Sequence, residues 1–268
     1  MRRSTYDSDG DYYMALALQR INHHHHLSAV GSTPDSGTAG VAFSPIWDGG
    51  PAPYPGFPLT AGECEVFSTS TEDSVAGTGM RVVIVDGLQT ADSVHYEQVG
   101  YVTAGTTPVS IGSWYRIRQL QGYSYGANEA NIGTVTARFV GDPSVVFAHI
   151  LPGNGNSQNA IVTIPKEVSG YVFQVTTGIG RPLGDTKKGE ITGLIRVKGR
   201  TPDQTGWNVE RVYPISSSAT PYNRKYTPPL KALPGTDIIA ECTATIDNIV
   251  AYFEFDMAFV DDDHYPTP

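Results

Sequence analysis

The chain has 268 residues, a formal net charge of −9, and 17% charged against 40% hydrophobic residues. With no basic stretch to neutralise phosphates, the acidic balance argues against nucleic-acid binding, and no apolar run approaches the roughly 18 residues of a membrane span. Two cysteines, Cys64 and Cys242, are too few for a disulfide scaffold or a structural zinc site. The N-terminus has no apolar core of a signal peptide, and 15 Tyr against 4 Met lean away from a helical protein.

Residues 1–42 form a separate compositional zone. Asp11 precedes an apolar stripe of Met14, Leu18 and Ile21 at helical spacing, with Tyr12 and Leu16 beside it, a helix start too short to stand alone in water. The spacing predicts an arm that covers its apolar face on a neighbour, so Tyr12, Met14, Leu16, Leu18 and Ile21 are interface candidates. Residues 1–42 are then needed for attachment or oligomer formation and dispensable for folding of the body. The His23–His26 run reads as a flexible polar stretch rather than a metal site, because no cysteine or carboxylate spacing completes it.

From Phe43 the pattern turns to period two. Strands are predicted at Cys64–Ser68, Arg81–Leu88, Val94–Tyr101, Thr107–Ile111, Trp114–Gln119 and Ile132–Phe139. More follow at Ser144–His149, Asn159–Ile164, Tyr171–Thr177, Ile191–Lys198, Trp207–Tyr213, Asp237–Ala244 and Val250–Phe259. β-Branched and aromatic residues dominate these windows, and Gly, Asn, Asp and Pro bound them. The fold class expected is all-β, an antiparallel β-sandwich or jelly-roll-like body over 43–268 with an extended N-terminal arm. That body is one large sandwich or two packed halves split near 141–143, at Gly141-Asp142-Pro143.

Several constellations invite chemistry. Gly122-Tyr123-Ser124-Tyr125-Gly126 fits the nucleophile elbow, but a new strand begins almost at once, with no room for the helix the motif needs and no alternating βα pattern elsewhere, and it reads as a hairpin loop. Gly77-Thr78-Gly79 precedes a strand rather than a helix N-terminus, so it is a turn and not a phosphate cradle. Glu63, Glu65 and Glu97 could supply a glycosidase pair only if folding set two carboxylates across a bond. Glu254, Asp256 and Asp261-Asp262-Asp263 read as a solvated acidic end. No catalytic, cofactor-binding or metal-ligating residue is assigned. Tyrosines in Gly- or Pro-rich context, Tyr123, Tyr125, Tyr222 and Tyr226 with Tyr54 and Tyr213, suit a protein interface or a sugar surface. Cys64 and Cys242, in an early and a late strand that could be neighbours, are expected as free, buried thiols.

One ordered series carries a resemblance. Ser68-Thr69-Ser70-Thr71-Glu72-Asp73 runs into Gly77-Thr78-Gly79-Met80 and Val85-Asp86-Gly87-Leu88. Gly105-Thr106-Thr107-Pro108-Val109, Arg116-Ile117 and Asn131-Ile132-Gly133-Thr134-Val135 follow, with Ile161–Pro165 and Thr236-Asp237-Ile238 further on. Over about residues 45–260 this resembles virion structural proteins of tailed bacteriophages. The resemblance implies a non-enzymatic capsid cement or decoration protein on the virion surface, assembled in the host cytoplasm without a cofactor. Its implied partners are the major capsid protein and further copies of itself, a trimer by preference, with no nucleic acid or membrane. A tail, neck or fibre component contacting tail proteins or host glycans is the alternative within the same class.

Overall fold

In Thr192–Arg200, Ile195 and Val197 are buried while Arg196, Lys198 and Arg200 take the opposite face, the two-residue period of a strand covered differently on its two sides. Segments of this kind build the whole molecule. The structure is a computed structural model describing residues 24–33, 43–50, 53–181, 189–219, 221–246 and 249–261, and among the described residues there is no helix. The strands are β1 (His24–Thr33), β2 (Ser44–Pro45), β3 (Gly62–Ser68), β4 (Met80–Leu88), β5 (Glu97–Val102), β6 (Val109–Trp114), β7 (Arg116–Tyr125) and β8 (Val135–Phe139). They continue as β9 (Val146–Ile150), β10 (Ile161–Thr163), β11 (Val168–Gly180), β12 (Thr192–Arg200), β13 (Asn208–Ser216), β14 (Tyr222–Ala232), β15 (Asp237–Ala244) and β16 (Val250–Asp261). All of their pairings are antiparallel.

Two sheets, ordered β1-β16-β11-β14 and β10-β15-β12-β13, face each other. Taken in chain order, β1, β10, β11, β12, β13, β14, β15 and β16 fill these places as the paired Greek keys of a jelly roll. Its core lies between the sheets, with Phe253, Phe255 and Met257 from one and Ile195, Ile238 and Cys242 from the other. The expected all-β sandwich is therefore present.

The second strand of this jelly roll is interrupted. Ser44 and Pro45 of β2 stand opposite Cys242 and Glu241 of β15, and Ile161, Val162 and Thr163 of β10 continue the same line opposite Ile239, Ile238 and Asp237. At the break, the Ile46 N–H donates to Ala240 O and the Ala160 N–H to Ile46 O. Residues 47–159 are inserted at that point. They fold as a second sandwich, β6-β3-β8-β9 against β5-β4-β7, around Trp114, Met80, Leu120 and Phe147.

Three expectations change. Gly141-Asp142-Pro143 divides nothing. It is the turn between the paired strands β8 and β9, where Asp142 accepts from the Ser144 N–H and the Val145 N–H closes back on Asp142 O. The zone 1–42 is not wholly outside the body, because β1 runs antiparallel to β16 over ten residues and its His24, His25 and His26 stand opposite Val260, Phe259 and Ala258. The apolar stripe from Tyr12 to Ile21 lies outside the described residues. β14 falls where tyrosine loops were expected. Among the described residues it is an edge strand paired only with β11, and the register slips around Tyr226–Pro229 opposite Phe173. Proline is tolerated at such an edge bulge, where no ladder needs its missing N–H.

Candidate functional site

The most elaborate surface lies on the outer face of the β15–β12 pair. Arg196 stands opposite Glu241 and Arg200 opposite Asp237, and the alternation of β12 puts Arg196, Lys198 and Arg200 in one row. Glu241 accepts from both Arg196 and Lys198, each at 2.6 Å, and Arg200 donates to Asp237 at 2.7 Å. Aromatic rings lie along the cations: Phe43 is 3.9 Å from the Arg196 guanidinium and Trp207 is 4.9 Å from that of Arg200. Edge-to-face contacts link Trp47 to Tyr54, Tyr54 to Phe57 and Phe57 to Trp207, with centroids 5.0–5.1 Å apart. Cation–π and edge-on aromatic geometry each fix such rings in place. Phe57, Trp207, Lys198, Arg200 and Glu241 help to line a cleft of about 430 Å³.

Beside the cleft, the two sandwiches are joined by buried charge. Arg116 at the start of β7 donates through Nε and Nη2 to the two oxygens of Asp237, each at 3.1 Å, and through Nη1 to Pro58 O. Asp237 also accepts from Thr163 Oγ1 at 2.6 Å. Tyr96 of the inserted sandwich donates its hydroxyl to Thr163 O and accepts from the Thr163 N–H. Burial drives the Tyr96 phenol far above its usual range. Arg118 pairs with Asp86 below it. Chemically, the site offers flat aromatic faces and rigid charges for binding. Glu241 and Asp237 are both committed to cationic partners, so the cleft supplies no uncommitted carboxylate pair from these two. Among the described residues, no three of His, Cys, Asp and Glu come together as a metal cluster.

A second polar centre accounts for the turn motifs. Asp73 is fully buried and takes four donors: Met80 N and Ile132 N on Oδ1, and Ser68 Oγ and Gly133 N on Oδ2, all between 2.6 and 2.9 Å. Segments far apart in the chain thus meet at one carboxylate. Glycine is required beside it, since a Cβ on Gly79 would stand 2.1 Å from Asp73 Oδ1 and one on Gly133 2.5 Å from the Ser70 nitrogen.

The sequence-derived candidates scatter. Tyr123 is exposed, Tyr125 and Tyr222 are half-buried, and Tyr226 is buried with its hydroxyl bonded to that of Tyr213. Tyr226 is therefore not a surface residue: the jelly-roll core draws its ring in, and Tyr213 satisfies its polar tip. Tyr12, Met14, Leu16, Leu18 and Ile21 lie outside the described residues. The Gly122–Gly126 stretch is not a loop. Ser124 pairs with Val82 inside the β7–β4 ladder. Glu65 is engaged by Arg138 and Glu97 by His95. Glu254 and Asp256 belong to β16 rather than to an acidic tail. Cys64 and Cys242 are free and buried, but they occupy separate cores and are not neighbours. Burial pushes both thiols up to about 12. The cation row was missed, although Arg196, Lys198 and Arg200 at every second position signal one strand face.

Comparison with protein-family models and with curated proteins found no match.

Proposed function

We propose that this chain is a non-enzymatic structural protein of a bacteriophage particle, a cement protein that binds and stabilises the capsid shell. The observation that best supports this reading is the locked pairing of two sandwiches through Arg116 and Asp237. A clamp that bridges subunits under load needs two rigid bodies held at a fixed angle, and the inserted sandwich is joined to the jelly roll by two chain crossings and a buried ion pair. Jelly rolls are common in viral shells, an analogy of fold alone. The partner in this reading is the major capsid protein, and the protein acts as a homo-oligomer, a trimer by preference, on the capsid surface. Quantitative mass spectrometry of purified particles tests it: hundreds of copies per particle are expected, and a copy number set by tail symmetry would overturn it.

The cleft favours a second reading, a tail or fibre component that grips host glycans. Trp207 and Phe57 line the cleft together with Arg200 and Glu241, a combination of aromatic and charged groups suited to sugar rings and their hydroxyls. Glycan-array binding that is lost in Trp207→Ala would support this over the cement role.

A further inference from the structure

The charges around the cleft do not balance, and the excess lies on the solvent side. Four cations, Arg116, Arg196, Lys198 and Arg200, gather on two carboxylates, Asp237 and Glu241. The carboxylates lie beneath the row: their side chains are 6–8% exposed, against 15–29% for the three cations of β12. Neighbouring acidic residues do not restore the balance. Asp203 accepts from the Thr201 hydroxyl in the turn after β12 and pairs with no cation among the described residues. Glu210 stands over Gly199, on the buried side of β12 with Ile195 and Val197.

Hydrogen-bond donors are left over as well. Arg200 lies 4.9 Å from the Trp207 ring centroid and 5.5 Å from that of Phe57. Contact of this kind fixes a guanidinium without committing all of its in-plane donors. Its Nη2 donates to Asp237, while Nε and Nη1 have no partner among the described residues. Lys198 gives one N–H to Glu241 and keeps the rest of its ammonium donors. Both side chains line the cleft on the same sheet face as Ile239 and Glu241.

We propose that the cleft selects an acidic glycan, with the carboxylate of a uronic-acid unit held by Arg200 and Lys198; this rests on the glycan-binding reading of the same cleft. A carboxylate matches the donor fork of a guanidinium, and bonds of this kind between charged groups are the strong ones. Trp207 and Phe57 hold that fork in place before the ligand arrives. The cleft, at about 430 Å³, is within the range of small-ligand sites. A neutral sugar leaves the spare donors unused, and a basic one meets repulsion from the row.

Calorimetric titration of the full-length protein with trigalacturonate, its methyl ester and maltotriose tests this. Saturable binding of the acid is expected, with the ester and maltotriose at least about 10-fold weaker, since a lost hydrogen bond to a charged group is worth about that factor. Raising the salt to about 0.5 M should weaken the acid and leave the ester unchanged. Lys198→Gln and Arg200→Gln should each weaken the acid by about 5- to 10-fold. Lys231→Gln, at a cation that stands over Tyr171 on β11, should change nothing. Arg200 also holds Asp237, so Lys198→Gln carries the test alone if Arg200→Gln lowers the melting temperature. Equal binding of acid and ester would overturn the selection for charge while leaving the glycan reading in place. No saturation by trigalacturonate below about 1 mM would overturn the proposal, and the glycan array then decides the broader reading by itself. Hexa-aspartate binding as tightly as trigalacturonate would overturn it too, by showing that the cations take an acidic peptide equally well.

Discussion

Asp48 lies where the inserted sandwich leaves the jelly roll, and burial pushes its carboxyl up to about 7, only partly opposed by the Gln158 N–H donated to Oδ2. Its Oδ1 is buried with no partner among the described residues. In the unfolded chain the same group titrates near 3.8. Below that value both states are protonated and nothing is lost. Between about 4 and 7 unfolding releases a proton, so stability falls as pH rises, and above 7 the loss is complete at roughly 4 kcal/mol. Urea midpoints measured from about pH 4 to pH 8 should therefore decline in the wild type relative to Asp48→Asn, in which this slope disappears. Taking the difference between the two proteins removes His149, whose pKa burial lowers and which acts in the opposite sense on the acid side. Asp73 is the other carboxylate on which local structure depends. Asp73→Ala strands two backbone N–H groups of the 132–133 turn and that of Met80, and should cost about 3–5 kcal/mol in urea unfolding, since each buried donor left unpaired costs about 1–3 kcal/mol. The turn itself was legible from its glycines. That its carboxylate gathers segments some sixty residues away was not, because a spacing pattern carries no information about which distant N–H groups lack partners.

The strands show where periodicity speaks and where it is silent. Thirteen windows of β-branched and aromatic residues became strands with ends displaced by a few residues, because alternation against a core leaves a mark in sequence. β14 escaped because Pro228 and Pro229 read as loop, and only its place at the sheet edge makes them acceptable. β1 escaped because His, Ser, Gly and Thr give it no apolar alternation, and its pairing comes from the partner strand. The cation row of β12 was legible as alternation, but its meaning depends on the register that sets Arg196 opposite Glu241. β1 now changes what truncation should do. Deleting residues 1–42 uncovers ten backbone positions of β16, and a long bare edge strand invites pairing with other chains. A lower melting temperature and concentration-dependent aggregation in light scattering are expected. Deleting only residues 1–22 should leave both unchanged, and equal behaviour of the two truncations would contradict the role given to β1.

At the scale of the molecule, Arg116 and Asp237 decide whether the two sandwiches behave as one. Arg116→Met removes a guanidinium that is 5% exposed and leaves Asp237 with Arg200 and Thr163 alone. Breaking a buried pair from one side costs about 3–5 kcal/mol. Calorimetry should then resolve two transitions where the wild type gives one, and a single unshifted transition would show that the pair is dispensable. The all-β class was readable from composition and turn spacing, but the insertion was not. Its signature is a strand split into Ser44–Pro45 and Ile161–Thr163, pieces too short to alternate, that become one line only when laid on β15.

That interrupted strand also orders events during synthesis. The inserted sandwich is complete once Ile150 has left the ribosome, and it can close on its own core while the jelly roll still lacks most of its strands. β1 is made before the inserted sandwich, yet its partner β16 emerges after every other described strand. The nascent chain must therefore carry an unpaired strand past a finished domain, and the outer body can close only after translation has reached its final strand.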